Sequence, residues 1–350
     1  MDLNLELLEQ VCTVPGTSGY EMRIRDFIIK EIDGLVDSIE IDSLGNVYAL
    51  RKGDANPEQK KVMVAAHMDE IGFMVSHIDD QGFLRFRPIG GFDPKTLTSM
   101  RVVVHGRKDL IGVMGAKPIH LMSAEERNRA VKLEDFTIDL GLPKSEVEKY
   151  VAIGDTVTRH QPMLQVGECI NMKSLDNRAS VFILIETLRN LKQCPYDFYA
   201  LFTVQEEVGV RGSQVPAHKV NPDFAIALDV TIANDTPGTP THEKVTVIGK
   251  GTGIKIMDGR TICDYRMVDF LKSTADRGGI EWQPEILPFG GTDATHLQKM
   301  GKDGAITGAI STPVRYVHQT IEMMHPNDVR GSIELLTAAI ETLDKYNWSH

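Results

Sequence analysis

Cysteine is scarce in this chain. Its four cysteines, Cys12, Cys169, Cys194 and Cys263, form no CxxC pair. That spacing excludes a disulfide scaffold and a zinc ribbon, and it suits a reduced, cytoplasmic protein whose cysteines pack as small hydrophobes. Positive charge is also short, with 38 Lys and Arg against 49 Asp and Glu, a net charge of −11. A field of that sign repels phosphate backbones and acidic membrane surfaces, so neither nucleic acid nor membrane is expected as a partner. No run reaches the roughly 18–20 continuous apolar residues of a membrane-spanning helix. The opening segment places Asp2, Glu6 and Glu9 where a secretory signal carries positive charge. Internal repeats, low-complexity tracts and Ser/Gly linkers are missing as well.

What is present is the material of a large core. The chain is 42% hydrophobic and 25% charged, and 350 residues fit one large domain or two ordinary ones. Apolar residues recur at helical spacing from Leu3 to about Ile32, broken by PGTSGYE, where Thr17 or Ser18 is placed to cap a second helix. VDSIEID, NVYALRKG and KVMVAAHMDEIG read as strands, the last one buried and ending in polar residues. From Gly72 to Gln165 the chain changes character. FMVSHI, FLRFRPIGG, RVVVHG and LIGVMGA are short, Gly-punctuated strands of a small β-barrel or sandwich. Helix and strand then alternate from RASVFILIETLRNLKQ to GSIELLTAAIETLDKY. The expected fold class is therefore α/β, one layered domain built from residues 1–71 and 166–350 and interrupted by a β insertion at 72–165.

Open α/β sheets bind ligands beyond the carboxyl ends of their strands, which directs attention to polar residues ending apolar runs. His67 and Asp69 lie two apart after one such run. If the strand continues they share a face, and Asp69 then holds the His67 ring in the tautomer a metal needs; a structural or solvent-facing pair is the plain alternative. Asp176 precedes a helix that Asn177 and Arg178 open, which taken alone reads as an N-cap. Glu206 and Glu207 end another apolar strand, where buried carboxylates must be paired, protonated or metal-bound. Asp229 ends AIALDV, and His318 follows a strand in RYVHQ. His296 and His325 read as hydrogen-bonded structural histidines. As a set, His67, Asp176, Glu207, Asp229 and His318 with Glu206 to spare supply the parts of a two-metal hydrolase. Zinc takes imidazole nitrogen and carboxylate oxygen, and paired ions need a bridging carboxylate.

The ordered motifs PGTSGYE, DSLGN, AAHMDEIG, GAKPIHLM, LDNR, QEEVGVRGS, ALDVTIANDTPG, GGTDATHLQ and RYVH span nearly the whole chain. Together they resemble the dinuclear zinc aminopeptidase family that includes bacterial glutamyl aminopeptidases and the tetrahedral aminopeptidases. The resemblance implies a three-layer metallopeptidase domain with a central mixed sheet and an inserted β-barrel used for oligomerisation. It implies that Asp176 bridges two divalent ions, with His67 and Asp229 on one and Glu207 and His318 on the other. Zn²⁺ is the expected metal, and Co²⁺ and Mn²⁺ are also compatible with such ligands. Glu206 becomes the general base and Asp69 the group that orients His67. The implied activity is release of N-terminal amino acids from short peptides with free N-termini. The implied assembly is a homo-oligomer, a tetrahedral dodecamer built from dimers.

Some positions depart from the family pattern. Gln319 stands where Ser is usual, Thr252 where Pro is common and Asn177 where a second Asp is frequent; the Thr252 region is expected on the substrate side. His120 belongs to the insertion and reads as a turn histidine. Lys255, Arg260 or Arg211 would favour acidic side chains if one pointed into the pocket. Rival readings are an N-acyl amino acid deacylase, an endoglucanase-like glycosidase using Glu206 and Asp229 without metal, and a non-catalytic scaffold.

Overall fold

The segment KVMVAAH is apolar at every position between its end residues, and in the computed structural model, which describes residues 2–54 and 57–350, it is a central strand covered on both faces. Positions 1, 55 and 56 of the first expected segment lie outside the described residues. The strands in chain order are β1 Ser38–Ile41, β2 Val47–Arg51, β3 Lys61–His67, β4 Gly72–Ile78, β5 Leu84–Ile89, β6 Met100–His105, β7 Asp109–Gly115, β8 Thr137–Asp139 and β9 Thr156–Arg159. They continue with β10 Leu164–Val166, β11 Cys169–Met172, β12 Asp197–Thr203, β13 Phe224–Ile232, β14 Thr252–Met257, β15 Trp282–Ile286, β16 Ile306–Arg315 and β17 Glu322–Met324.

An 11-stranded sheet runs in the order β1-β2-β12-β3-β13-β16-β17-β11-β10, with β14 joined to β16 and β15 to β14. Its middle strands β12, β3, β13 and β16 are parallel, its two ends are antiparallel, and the branch joins β16 antiparallel through β14, which pairs parallel with β15. Strand alternation builds two different cores from the same segments. Val62, Val64 and Ala66 of β3 and Phe224, Ile226 and Leu228 of β13 face the main core, with the helices Leu5–Thr13, Leu175–Asn190, Tyr265–Gly278 and Pro326–Thr342. Met63 and Ala65 join Ala225, Ala217, Val220 and Leu297 on the other side, where small residues let the short helices Gln214–Val220 and Ala294–Leu297 come close. The helix Leu175–Asn190 is buried from Leu175 to Leu188, so it lacks a polar face, as expected of a helix enclosed by its neighbours. This is the expected three-layer α/β architecture with a mixed sheet.

Strands β4 to β9 close into a barrel in the order β4-β5-β8-β7-β6-β9 around its own core of Phe73, Val75, Leu84, Val102, Val104, Ile138 and Val157. The chain enters the barrel at Gly72, five residues beyond His67, and leaves it at Arg159; β10 already belongs to the large sheet. Thr17 and Ser18 do not cap the second helix. Met22–Ile32 starts from Glu21 with no side-chain cap, while Ser18 donates to Asp69 and Thr17 lies beside Glu70 in an isolated bridge. The expectation failed because a buried carboxylate competes for the hydroxyl more strongly than a helix terminus does.

Candidate metal centre

Parallel neighbours bring strand ends together. Thr203 of β12 is in register with His67 of β3, and Asp229 of β13 lies opposite Ser311 of β16. His67 and Asp229 are odd-numbered members of their strands, so both side chains leave the face that bears Ala65 and Ala225. Glu206 and Glu207 follow the end of β12, where Gln205 at φ 54° and Val210 at φ 56° hold the left-handed region. For a β-branched valine that is costly, and Val210 is fixed by its N–H donating to the Glu206 carbonyl at 2.8 Å. His318, at φ 66°, sits between β16 and β17. Asp176 begins the helix after β11, but its own backbone and that of Asn177 are non-helical, with a cis peptide bond between them. It does not act as an N-cap, because among the described residues its carboxylate accepts no helix N–H: its oxygens face His67 and His318 at the cavity, and its own N–H is tied to Glu322 Oε2 at 3.0 Å.

Two ligand sets result, His67 with Asp176 and Asp229, and Asp176 with Glu207 and His318, the donor atoms of each lying within 4.8 Å of one another. Asp176 serves both. Its Oδ1 is 3.4 Å from His67 Nε2 and its Oδ2 is 3.3 Å from His318 Nε2. Glu207 Oε2 lies 3.2 Å from His318 Nε2, and Asp229 Oδ1 lies 3.9 Å from His67 Nε2. Glu206 belongs to neither set, although its Oε2 is 4.0 Å from His67 Nε2. Asp69 is fully buried with Oδ1 3.2 Å from His67 Nδ1, a contact of charge rather than an aligned hydrogen bond. It accepts bonds from Ser18 Oγ at 2.5 Å and from the N–H groups of Glu206 and Glu207 at 3.0 and 3.2 Å.

The electrostatics are those of a site short of cations. Burial, then repulsion by Asp229 and Glu207 against the pull of His67, keeps the Glu206 carboxyl well above its usual range. Burial does the same to Asp229, and burial with the Asp176 charge raises Glu207. Burial alone would lower His318, yet Asp176 and Glu207 carry it to about 11. Burial would also lower His67, but the neighbouring carboxylates of Asp176 and Asp69 hold it far above its ordinary value. Glu207 Oε1 is buried with no hydrogen-bond partner among the described residues. Carboxylates that must share protons with two imidazoles, one with an idle buried oxygen, fit a pair of divalent cations in donor type and in charge.

Val230, Ile232, Leu287, Phe289, Val317 and Lys255 wall a cavity of about 300 Å³ in front of these groups. Lys255 is buried and bonded to Glu285; Arg260 and Arg211 are exposed and line no part of this cavity. Thr252 does not line it either. It is wholly buried, with Oγ1 2.7 Å from Ser332 Oγ, because β14 turns that residue toward the C-terminal helix and only Lys255 reaches the pocket. Gln319 acts through its backbone, accepting from Arg159 at 2.8 Å. His325 caps the C-terminal helix through Asn327 N–H, His296 lies beside Ser213 and Gln214, and His120 is exposed in a short turn of the barrel region. Sequence reasoning missed the buried charges behind the site: Glu70 with Lys173, Ser174 and Arg178, and Glu322 with Arg159. Glu70 and Arg178 border apolar stretches but stand beside other polar residues, Asp69 and Asn177, so their burial had no distinct signal in the sequence, and Glu322 carried none either.

The M42 glutamyl aminopeptidase family description matches residues 45–335. The lysyl aminopeptidase of Pyrococcus furiosus is 34% identical over 345 residues, covering 97% of both chains. The glutamyl aminopeptidase of Lactococcus lactis is 30% identical over 354 residues, again covering 97% of both. An aminopeptidase structure from the archaeon Desulfurococcus kamchatkensis superposes with a TM-score of 0.91 at 37% identity, over 96% of this chain and 94% of the other. The TET1 peptidase of Pyrococcus horikoshii, described as able to assemble into a tetrahedron or a large octahedral shell, gives 0.85 at 33% identity over 96% and 98%. With the fold and the whole length in agreement, the chain belongs to the M42 glutamyl aminopeptidase family, a peptidase family and hence one of hydrolases.

Proposed function

We propose that this protein is a two-metal aminopeptidase that removes N-terminal residues from short peptides. The observation that carries the reading is Asp176, whose two oxygens address different histidines while Glu206 stays outside both ligand sets. His67, Asp176 and Asp229 would hold one divalent ion, and Asp176, Glu207 and His318 the second, Zn²⁺ being the expected metal and Co²⁺ or Mn²⁺ compatible. Such ions supply Lewis acidity toward a peptide carbonyl and make water acidic near neutral pH. Glu206 takes the proton of the attacking water on its carboxylate and returns it to the departing amine. Asp69 fixes the His67 ring through Nδ1 and, by accepting from two backbone N–H groups, also fixes the Glu206–Glu207 turn. The α-amine of the substrate meets the carboxylate-rich floor, and its side chain lies along the apolar wall, which is why a free N-terminus is required.

Residues 72–165 serve in this reading as an assembly unit of a homo-oligomer, a tetrahedral dodecamer built from dimers. Ile111 and Val113 stand exposed on β7 of the barrel, and the TET1 peptidase of similar fold forms shells of that kind. The four cysteines are free, in keeping with a cytoplasmic setting.

The test is a panel of free and N-acetylated aminoacyl amides assayed after chelation and after reconstitution with Zn²⁺ or Co²⁺. Activity that falls on chelation, returns with metal and needs a free amine is expected. Activity confined to acetylated substrates would replace the reading with a deacylase, and silence across the metal-loaded panel would reject it.

A further inference from the structure

Glu322 is the first residue of β17, wedged between β11 and β16, and its side chain is completely buried. Its Oε1 accepts the His318 N–H and its Oε2 the Asp176 N–H, each at 3.0 Å. One carboxylate thus ties together the backbones of two residues that lie on separate loops. Its charge partner comes from the barrel: Arg159, at the end of β9 and 1% exposed, places Nη1 3.4 Å from Glu322 Oε1. The same guanidinium donates to the Gln319 carbonyl at 2.8 Å and to Ser174 Oγ at 3.2 Å, thereby reaching both loops as well. Ser174 at φ 57°, Tyr316 at φ 61° and His318 at φ 66° are all left-handed, so neither loop is held by its own conformational preference. A second barrel element closes on the same place, since a Cβ added to Gly91 would stand 3.5 Å from His318 Nδ1.

We propose that Glu322, clamped by Arg159 of the barrel, is the positioning residue that sets Asp176 and His318 at the spacing the second metal ion requires. The inference rests on the two-metal reading. Glu322 lines no part of the cavity and lies in neither ligand set. It acts on the backbone from which two ligands project, and loss of such outer support commonly weakens metal binding about 10–100-fold. Because Arg159 enters from β9, a barrel residue takes part in holding both ligand-bearing loops.

The experiment is a Co²⁺ titration of the chelated full-length protein, followed by visible absorption and calorimetry, for wild type and three variants. Wild type is expected to bind two ions. Glu322→Gln keeps one acceptor oxygen and should bind the second ion 10–100-fold more weakly with an altered absorption band, and Glu322→Asp, which keeps two oxygens, should recover part of the loss. Arg159→Met/Glu322→Met removes the buried pair together, which preserves folding better than leaving one charge unpaired. If the pair were merely structural, this double variant would bind both ions as wild type does, and that result would overturn the proposal. Unchanged affinity and spectrum in Glu322→Gln would overturn it too while leaving the two-metal reading intact. A wild-type protein that binds fewer than two ions would remove the reading and the proposal with it.

Discussion

Glu206→Gln keeps the shape of the side chain while removing one negative charge and one proton acceptor, and two effects of opposite sign follow. Glu206 lies outside both ligand sets, and the backbone N–H that fixes it is bonded to Asp69, so metal binding and the turn should survive. What is lost is the base. A positioned general base contributes about 10²–10⁴ in rate, or about 3–5 kcal/mol of barrier at roughly 1.36 kcal/mol per decade. Glu206 is one of several carboxylates on the cavity floor and no part of the apolar wall, so kcat should carry most of the loss and KM the smaller part.

The opposite effect is on stability. The Glu206 carboxyl has a folded-state proton affinity well above its unfolded one, from burial first and then from its anionic neighbours. A carboxyl raised in this way binds more protons folded than unfolded, so its contribution to stability falls as pH rises above the unfolded value. The amide carries no such cost. The chelated variant should therefore melt above chelated wild type at neutral pH, and the gap should close as pH falls toward the ordinary carboxylate range. Steady-state kinetics at saturating metal, metal analysis and calorimetry of chelated samples test both arms. A kcat within about tenfold of wild type with both ions bound would refute the base assignment. A melting temperature equal to or below that of wild type would refute the charge-repulsion account.

Two further outcomes follow. Asp176→Ala deletes the ligand common to both sets and should retain neither ion after dialysis, whereas Asp229→Ala should retain one; two ions found in the Asp176 variant by metal analysis would contradict its shared role. Glu70 is fully buried, and although burial alone would raise its carboxyl, Lys173 and Arg178 bring it down to about 2 from 4.5. That depression corresponds to about 3 kcal/mol of stability, present above the unfolded value and lost as pH falls from about 4.5 toward 2. Melting temperature against pH should drop more steeply over that window in wild type than in Glu70→Gln, and parallel profiles would count against it.

The strands bearing the site were legible because β3 and β13 are buried on both faces and read as continuous apolar runs, which makes their polar ends conspicuous. His67, Glu206, Glu207 and Asp229 all stand out in that way. Asp176 was less legible. By itself it looks like an N-cap, and only the non-helical backbone and the Glu322 bond, 146 residues away in sequence, turn it into the cavity. The reading of Thr17 and Ser18 as caps failed for a similar reason, since Asp69, 51 residues from Ser18, takes that hydroxyl. The Thr252 region was expected on the substrate side, but along β14 only Lys255 reaches the cavity, while Thr252 turns to Ser332 of the C-terminal helix, a partner 80 residues away in sequence. Arg159 and Glu322 are isolated charges in unremarkable segments, and nothing short of the tertiary structure marks them as partners.

The segment between His67 and Gly72 explains why charges so numerous can be buried together. Asp69 and Glu70 are adjacent, and consecutive side chains of extended backbone face opposite ways. Asp69 turns to His67 and the Glu206–Glu207 turn, whereas Glu70 turns to Lys173, Ser174 and Arg178. One short stretch therefore separates an anionic layer, Asp69, Asp176, Glu206, Glu207 and Asp229, from a layer whose cations Arg159, Lys173 and Arg178 outnumber Glu70 and Glu322 by one. The cationic layer offsets part of the negative charge from behind, but it is tied up in its own pairs and in the carbonyls of Met68, Val11 and Val14. The remaining charge in the cavity must be met from the front, by protons when the site is empty or by divalent ions when it is filled. The same two layers meet at the mouth of the barrel, which begins at Gly72 and returns Arg159, so the surroundings of the anionic site are set jointly by the sheet and by the insertion.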